Sequence, residues 1–398
     1  MLRAFGAVLF LVLGCRGAPP GTQDEQIVRM VDSLRPAVER AAGLHFRGPT
    51  RSAQRSREEV HQYILDHFEA EFPAERQHAL QAVYTLLGLI PDTLSLKTLL
   101  IDLLTEQVVG YYDPESRTLY AVRGADPTAL RFVLAHELTH ALQHDYLPLD
   151  SLVRVKGDAD RQMAAHAVLE GHAMIVSLLA FAPDPGILRE PGFWQMAREQ
   201  TLAATSEIFS RAPLALREEL IFPYLNGAEF MRWWDSAHTG QPLPTAASLP
   251  LSTEQILHPI RYATGDQPLP VRFADSTGDV LYEDTLGELE IQVLATVLRG
   301  GGELLTETPI GWGGDRFRIY RTSAGPALVW YTAWDDAASA RRFLGGTGTR
   351  LEARERPGYR TSVETLSGLA YPTVRVVIAP TNWTGWQELP TIRLANSQ

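Results

Sequence analysis

Two histidines and a glutamate stand in the run His136-Glu137-Leu138-Thr139-His140. On a helix of 3.6 residues per turn, positions i and i+4 share a face one turn apart, so both imidazoles can reach one cation. Neutral imidazole is a good zinc ligand. The intervening glutamate would lie beside such an ion, placed to take a proton from water held there. From Val133 to Leu142 the one charged residue is Glu137, so this face is expected to be buried. Burying two imidazoles and a carboxylate costs on the order of several kcal/mol unless they are paired. A pair of surface histidines on an amphipathic helix fits poorly with Leu134, Ala135, Leu138 and Ala141 around them.

A catalytic zinc keeps three protein ligands and one open position, whereas a structural zinc is closed by four. A third ligand is therefore needed. His144 lies on the same stripe but two turns from His136, about 12 Å along the axis, and cannot close on the same ion. Glu170 is the better candidate, a lone acid in the apolar run Ala167-Val168-Leu169-Glu170-Gly171-His172-Ala173. A buried carboxylate in such a run wants a cation, and a metal ion supplies one. The alternatives are a helix acid paired to Arg161 or another cation, or a metal ligand at His166 or His172 in its place.

The segment HELTHALQ followed by LEGHA resembles the gluzincin metallopeptidases, and more closely a bacterial family with a HELTHALQ-type helix and an ALxEGxA-type helix whose members are largely uncharacterised in function. The resemblance runs from about residue 95 to the C-terminus. It takes in Tyr111-Tyr112-Asp113, Ser252-Thr253-Glu254-Gln255-Ile256-Leu257-His258-Pro259 and Gly311-Trp312-Gly313-Gly314-Asp315. The zincins that use a third histidine after a glycine turn would need Gly at 143 and His at 146, where this chain has Gln143 and Tyr146. The resemblance implies a zincin-like fold with His136, His140 and Glu170 as zinc ligands. It implies peptide-bond hydrolysis, with Glu137 as general base on the water that zinc would hold and later as proton donor to the leaving amine. Two positions depart from the family pattern: His172, where Asp is frequent two residues after the ligand glutamate, and Met174, where the best-known gluzincins carry an orienting Asp. A further donor should stabilise the oxyanion, with His258, Tyr224 and Tyr146 as candidates, each otherwise a packing residue. A strand at Thr118–Val122 could bind an extended substrate by β-addition. Two other readings stand beside this one: a non-catalytic envelope lipoprotein that uses a zinc-bound zincin fold as an interaction or assembly module, and a different metal-dependent hydrolase on the same scaffold.

The elements that must position these residues follow from periodicity. Residues 25–109 read as helical, with Ile27, Val31, Leu34 and Val38 at helical spacing, then Val60, Ile64, Leu65 and Phe68, then Leu96 to Leu104. Val108 to Val122 reads as a β-hairpin turning at Asp113-Pro114. Asp126 as N-cap and Pro127 at the first helical position start the helix that carries the two histidines, which should stop before Pro148. A second helix spans about 158–182, and others about 193–210 and 213–237. Pro, Gly, Thr and Ser dominate 240–281, and after it a helix near 286–298 precedes strand-like runs at 317–321, 327–333, 359–366 and 374–379, with a helix at 335–343. The expected class is α+β: a mainly α-helical zincin-like metallopeptidase domain with a short β-hairpin or sheet over 27–281, then a small α+β domain over 282–398. Trp312, Trp330, Trp334, Trp383 and Trp386 could bind a partner there, but an aromatic core for a small sheet is the favoured reading.

The N-terminus reads as an address. A short positive start precedes an apolar run from Ala4 to Leu13, then Gly14-Cys15. Ten residues are too few for a membrane helix, which needs roughly 20. The pattern suits a secretory signal at 1–14 with a lipobox that lipidates Cys15, then a polar tether over 15–26, and plain secretion is the alternative. The expected location is the bacterial cell envelope, with the lipid on Cys15 meeting the membrane. Cys15 is the single cysteine in 398 residues, which excludes an intrachain disulfide framework and a cysteine metal cluster. The net charge is −11, from 36 basic and 47 acidic side chains, and only Lys97 and Lys156 are lysine. An acidic chain without a basic block is a poor nucleic-acid binder, and the partner that the metallopeptidase resemblance implies is a peptide or protein substrate.

Overall fold

In the computed structural model, the described residues are 23–394, apart from 72, 153–155, 183, 185, 187, 189, 191, 204–205 and 276–277. The expected signal segment and the lipidation site Cys15 lie outside the described residues. The tether expected over 15–26 is shorter than its composition suggests, because helix α1 (Gln23–Ala42) already opens within it.

The N-terminal half lays helices around one short sheet. After α1 come β1 (Arg51–Arg55), α2 (Arg57–Glu71), α3 (Ala74–Leu87) and α4 (Leu96–Gln107). The expected hairpin is present as β2 (Gly110–Asp113) and β3 (Thr118–Val122), paired antiparallel with Tyr112 opposite Leu119. The parallel partner β1 is an addition to that reading, with Ala53 opposite Tyr120, and it gives the sheet order β1-β3-β2. This corrects the β-addition expectation: β3 has a neighbour on both sides, so the backbone groups an incoming peptide would pair with are taken.

Helix α5 (Pro127–His144) starts as its sequence dictates: Pro127 takes the first position and the Asp126 side chain accepts from Thr128 N and Ala129 N. After the short α6 (Leu149–Leu152) comes α7 (Ala159–Phe181), capped by Asp158 accepting from Arg161 N. The helix expected over 193–210 is broken into α8 (Phe193–Ala203) and α9 (Glu207–Arg211), and α10 (Leu214–Ala237) follows. α7 is long and apolar enough to cross a membrane, but most of it is buried among its neighbours, as a core helix is.

The remainder of the chain builds α11 (Thr253–Leu257), α12 (Pro259–Ala263), β4 (Val271–Phe273), β5 (Val280–Asp284) and α13 (Gly287–Leu298). Then come β6 (Trp312–Tyr320), β7 (Ala327–Trp334), α14 (Ala337–Phe343), α15 (Thr349–Ala353), β8 (Tyr359–Leu366), β9 (Thr373–Pro380) and β10 (Ile392–Leu394). A five-stranded antiparallel sheet runs β5-β6-β7-β9-β8, and β4 pairs with β10. The class is α+β. The boundary expected at 281/282 falls inside β5, and β4, which precedes it, pairs with the last strand. The Pro- and Gly-rich composition of this stretch reflects turns between short elements rather than a linker.

Two apolar clusters decide where the catalytic candidates sit. One joins α1 (Ile27, Val31, Leu34) and β3 (Leu119, Ala121) to α5 through Leu130, Leu134, Leu138 and Leu142. The larger one runs from α2–α4 through α7 and α10 to α13 and the inner face of the five-stranded sheet, including Trp312, Trp330 and Trp334. Those three tryptophans are core residues, and Trp383 and Trp386 pack on the outer face of the sheet. α5 and α7 therefore lie among packed layers, and every residue of α5 from Val133 to Gln143 is buried.

Candidate metal centre

α5, α7 and α10 meet where two glycines touch. A Cβ added to Gly171 would lie 2.0 Å from the carbonyl carbon of Gly227, and one on Gly227 would lie 2.0 Å from the carbonyl oxygen of Ala167. Only glycine permits so close a crossing. The contact brings Tyr224, just before Gly227 on α10, to the acid just before Gly171 on α7. The Tyr224 hydroxyl lies close enough to the Glu170 carboxylate to be raised by it, and its ring centroid is 5.9 Å from that of His136.

Glu170 Oε2 lies 2.9 Å from His136 Nε2 and 3.4 Å from His140 Nε2. The two imidazoles are 4.8 Å apart, centroid to centroid. Glu170 Oε1 is 3.1 Å from Nε2 of His166, one turn earlier on α7. The partners of Glu170 are thus three histidines and a tyrosine, and the expected alternative, pairing with Arg161, is not what the structure places there. Burial alone would raise the Glu170 carboxyl, but His140, His136 and His166 together hold it well below the usual range. Burial lowers His136, whereas at His140 burial pulls the same way but Glu170, Glu137 and the Gln143 oxygen together overcome it and lift the imidazole to about 9. These shifts describe one tight group that shares charge.

Glu137 sits differently. Its Oε2 accepts from the backbone N of Tyr112 on β2 at 2.8 Å, while Oε1 is buried and has no hydrogen-bond partner. Burial pushes its carboxyl up to about 8. Donor atoms of His136, Glu137 and His140 all lie within 4.8 Å of one another, and this group could hold a metal ion. Of the two acids, Glu170 is the better ligand, since one of its oxygens faces both Nε2 atoms, whereas Glu137 is anchored to the sheet.

The residues present fit such an ion. His140 Nε2 is buried without a hydrogen-bond partner, a costly state for a ligand nitrogen unless a cation meets it. Zinc bonds of about 2.0–2.2 Å at tetrahedral angles put donor atoms about 3.3 Å apart. The observed 2.9 and 3.4 Å bracket that separation.

The other sequence candidates separate clearly. His172 stands apart from the His136, His140 and Glu170 group: its Nδ1 lies 3.0 Å from Gln143 Nε2, and burial together with the charges of His140 and His136 drops it to about 3. His166 holds the far oxygen of Glu170 and does not face the imidazole pair. Its one-turn spacing from Glu170 is the signal that could have assigned this role. Of the three oxyanion candidates, only Tyr224 is at the site. Tyr146 bonds the backbone of His45 through its hydroxyl and stacks under Arg47. His258 lies between α11 and α12 with Nε2 2.9 Å from Glu288 Oε1, and among the described residues no contact joins it to His136, His140 or Glu170. Both misplacements have the same cause: residue type and chain order say nothing of distance once several loops intervene.

Residues 276–382 match the family described as Domain of unknown function (DUF8575), which covers the sheet-forming C-terminal part and not the metal centre. No curated protein matches the chain. One solved structure resembles it loosely, a candidate hydrolase with a novel fold from Chloroflexus aurantiacus. That likeness has 19% identity and a TM-score of 0.40, and it spans 62% of this chain and 92% of the other, too loose to carry fold or activity across.

Proposed function

We propose that this chain is a zinc-dependent peptidase of the cell envelope, exported and held at the membrane through a lipid on Cys15, with a peptide or protein as substrate. The observation that carries the reading is the convergence of Glu170 Oε2 on the Nε2 atoms of His136 and His140. Held by these three donors, zinc would supply Lewis-acid polarisation of the scissile carbonyl. Glu137, pinned through Oε2 to Tyr112, keeps Oε1 free to accept a proton from the attacking water and return it to the leaving amine. Tyr224 keeps its proton, because burial and the nearby Glu170 and Glu137 carboxylates raise it well above its ordinary range, so its hydroxyl can donate to the oxyanion.

One observation favours a second reading. His136 is 0% exposed and Glu170 2%, so an ion there is nearly closed to solvent, as in a structural site. That suits a non-catalytic lipoprotein whose zinc stabilises an interaction module. Against it stands Glu137, whose free Oε1 is a buried liability with no structural use.

The test is Glu137→Gln assayed on a mixed peptide pool with metal content measured in parallel. The peptidase reading expects zinc retained and hydrolysis lower by about 10²–10⁴-fold. Wild-type protein that holds zinc yet leaves the whole pool intact supports the interaction module instead.

A further inference from the structure

Gln143 is 0% exposed and lies one turn after His140 on α5. Its Nε2 is 2.8 Å from the backbone oxygen of Leu169 and 3.0 Å from His172 Nδ1, and its Oε1 is 2.9 Å from His140 Nδ1. The orientation of the amide follows from its neighbours. A backbone carbonyl only accepts, so the NH₂ group must face Leu169. The amide oxygen then faces His140, and since that oxygen only accepts, His140 Nδ1 must carry the hydrogen. His172 Nδ1 meets an N–H, so it accepts and carries its own hydrogen on Nε2. One buried amide thus fixes two ring tautomers.

We infer that Gln143 is the positioning residue of the metal centre, a role that rests on the zinc reading above. By accepting from His140 Nδ1, it leaves the Nε2 lone pair bare and aimed toward Glu170. By donating to Leu169, it holds the peptide unit next to Glu170. A single side chain on α5 therefore sets the tautomer of one ligand and the backbone of another ligand on α7. His136 has no such partner, because its Nδ1 is buried without a hydrogen bond. Partners of this kind fix ring orientation and raise ligand basicity, and their loss typically weakens metal binding by about 10–100-fold.

Three proteins decide it: the wild type, Gln143→Leu and Gln143→Glu, each stripped of metal and titrated with zinc against a chromophoric chelator. Gln143→Leu is expected to bind zinc about 10–100-fold more weakly. Gln143→Glu, which restores an acceptor for His140 Nδ1 but not the donor to Leu169, is expected to recover part of that loss. Ring ¹H–¹⁵N correlation spectra of zinc-loaded, histidine-labelled protein should show His140 protonated on Nδ1 and His172 on Nε2. Should Gln143→Leu not fold, the wild-type spectrum decides alone, and a His140 ring without the Nδ1 proton overturns the assignment. Wild-type protein with stoichiometric zinc beside a Gln143→Leu variant of equal affinity overturns the positioning role by itself. Loss in Gln143→Leu with the His140 Nδ1 proton signal unchanged from wild type in position and exchange marks a packing effect and also overturns it. A wild type that takes up no zinc overturns the metal reading, and this role falls with it.

Discussion

Two groups of buried carboxylates lie along α7, and they differ in one respect. At its N-terminal end, Asp160 Oδ1 accepts from the N and Oγ1 of Thr253, and Asp158 accepts from Arg161 N and from the Thr285 hydroxyl. Asp315 on β6 accepts from Leu286 N, Gly287 N and Trp330 Nε1, and Asp284 on β5 accepts from Ala159 N and Thr285 N. These acids accept from backbone and side-chain donors at helix ends. About 15 Å further along the helix, at 1.5 Å per residue, Glu170 faces imidazoles, and beside it His140 Nε2 and Glu137 Oε1 have no hydrogen-bond partner. Burial alone does not separate the groups. What sets the second group apart is its company: an unused Glu137 oxygen, a state also found at Glu288 and Glu290 on α13, here lies beside two imidazoles.

The contrast gives the Gly311–Asp315 and Ser252–Pro259 motifs a structural meaning. Thr253 and Asp315 both serve the junction where α7 and α13 begin, and Gly287, with φ of +83°, leaves room for Asp160 to pack against it. These stretches brace the helix that carries Glu170.

The comparison can be broken most forcefully at the junction. Asp315→Ala leaves three buried donors unpaired and is expected to cost about 3–5 kcal/mol in denaturant unfolding, while the protein that remains folded keeps its zinc. Loss of zinc from folded Asp315→Ala would mean that the two groups are not separable. At the metal centre, Tyr224→Phe should slow hydrolysis by about 10²-fold with metal content unchanged, and an unchanged rate would remove Tyr224 from the mechanism. Gly171→Ala forces α7 off α10 and should cost about 1–3 kcal/mol of stability, with a rise in the zinc dissociation constant as Glu170 shifts away from His136 and His140. The smallest effect belongs to His258→Ala, for which hydrolysis should stay within about twofold of wild type, and a large fall would bring α11 back into the site.

Much of the centre was legible before the fold. Asp126 and Pro127 announced α5, and the i, i+4 spacing placed His136 and His140 on one face. Glu170 could be read because an acid in an otherwise apolar helix needs a reason to be there. β1 was not legible: Arg51-Ser52-Ala53-Gln54-Arg55 has no apolar alternation, and it is a strand because β3 offers it a parallel edge. The Gly171–Gly227 crossing was hidden as well, since a glycine in a helix announces a close approach without naming its partner. Tyr224 therefore stood level with Tyr146 and His258 until α10 was seen to cross α7. The hydrogen bonding of Asp160 and Asp315 depends on backbone N–H groups from distant segments, which no spacing rule reaches.

The most direct measurement is zinc stoichiometry by elemental analysis after chelation and reloading, for wild type and Glu170→Ala side by side. One zinc per chain in the wild type, and a loss of nearly all of it in a folded Glu170→Ala variant, is the predicted result. Equal zinc in the two proteins would contradict the assignment of Glu170 as a ligand, and an empty wild type would contradict the metal centre itself.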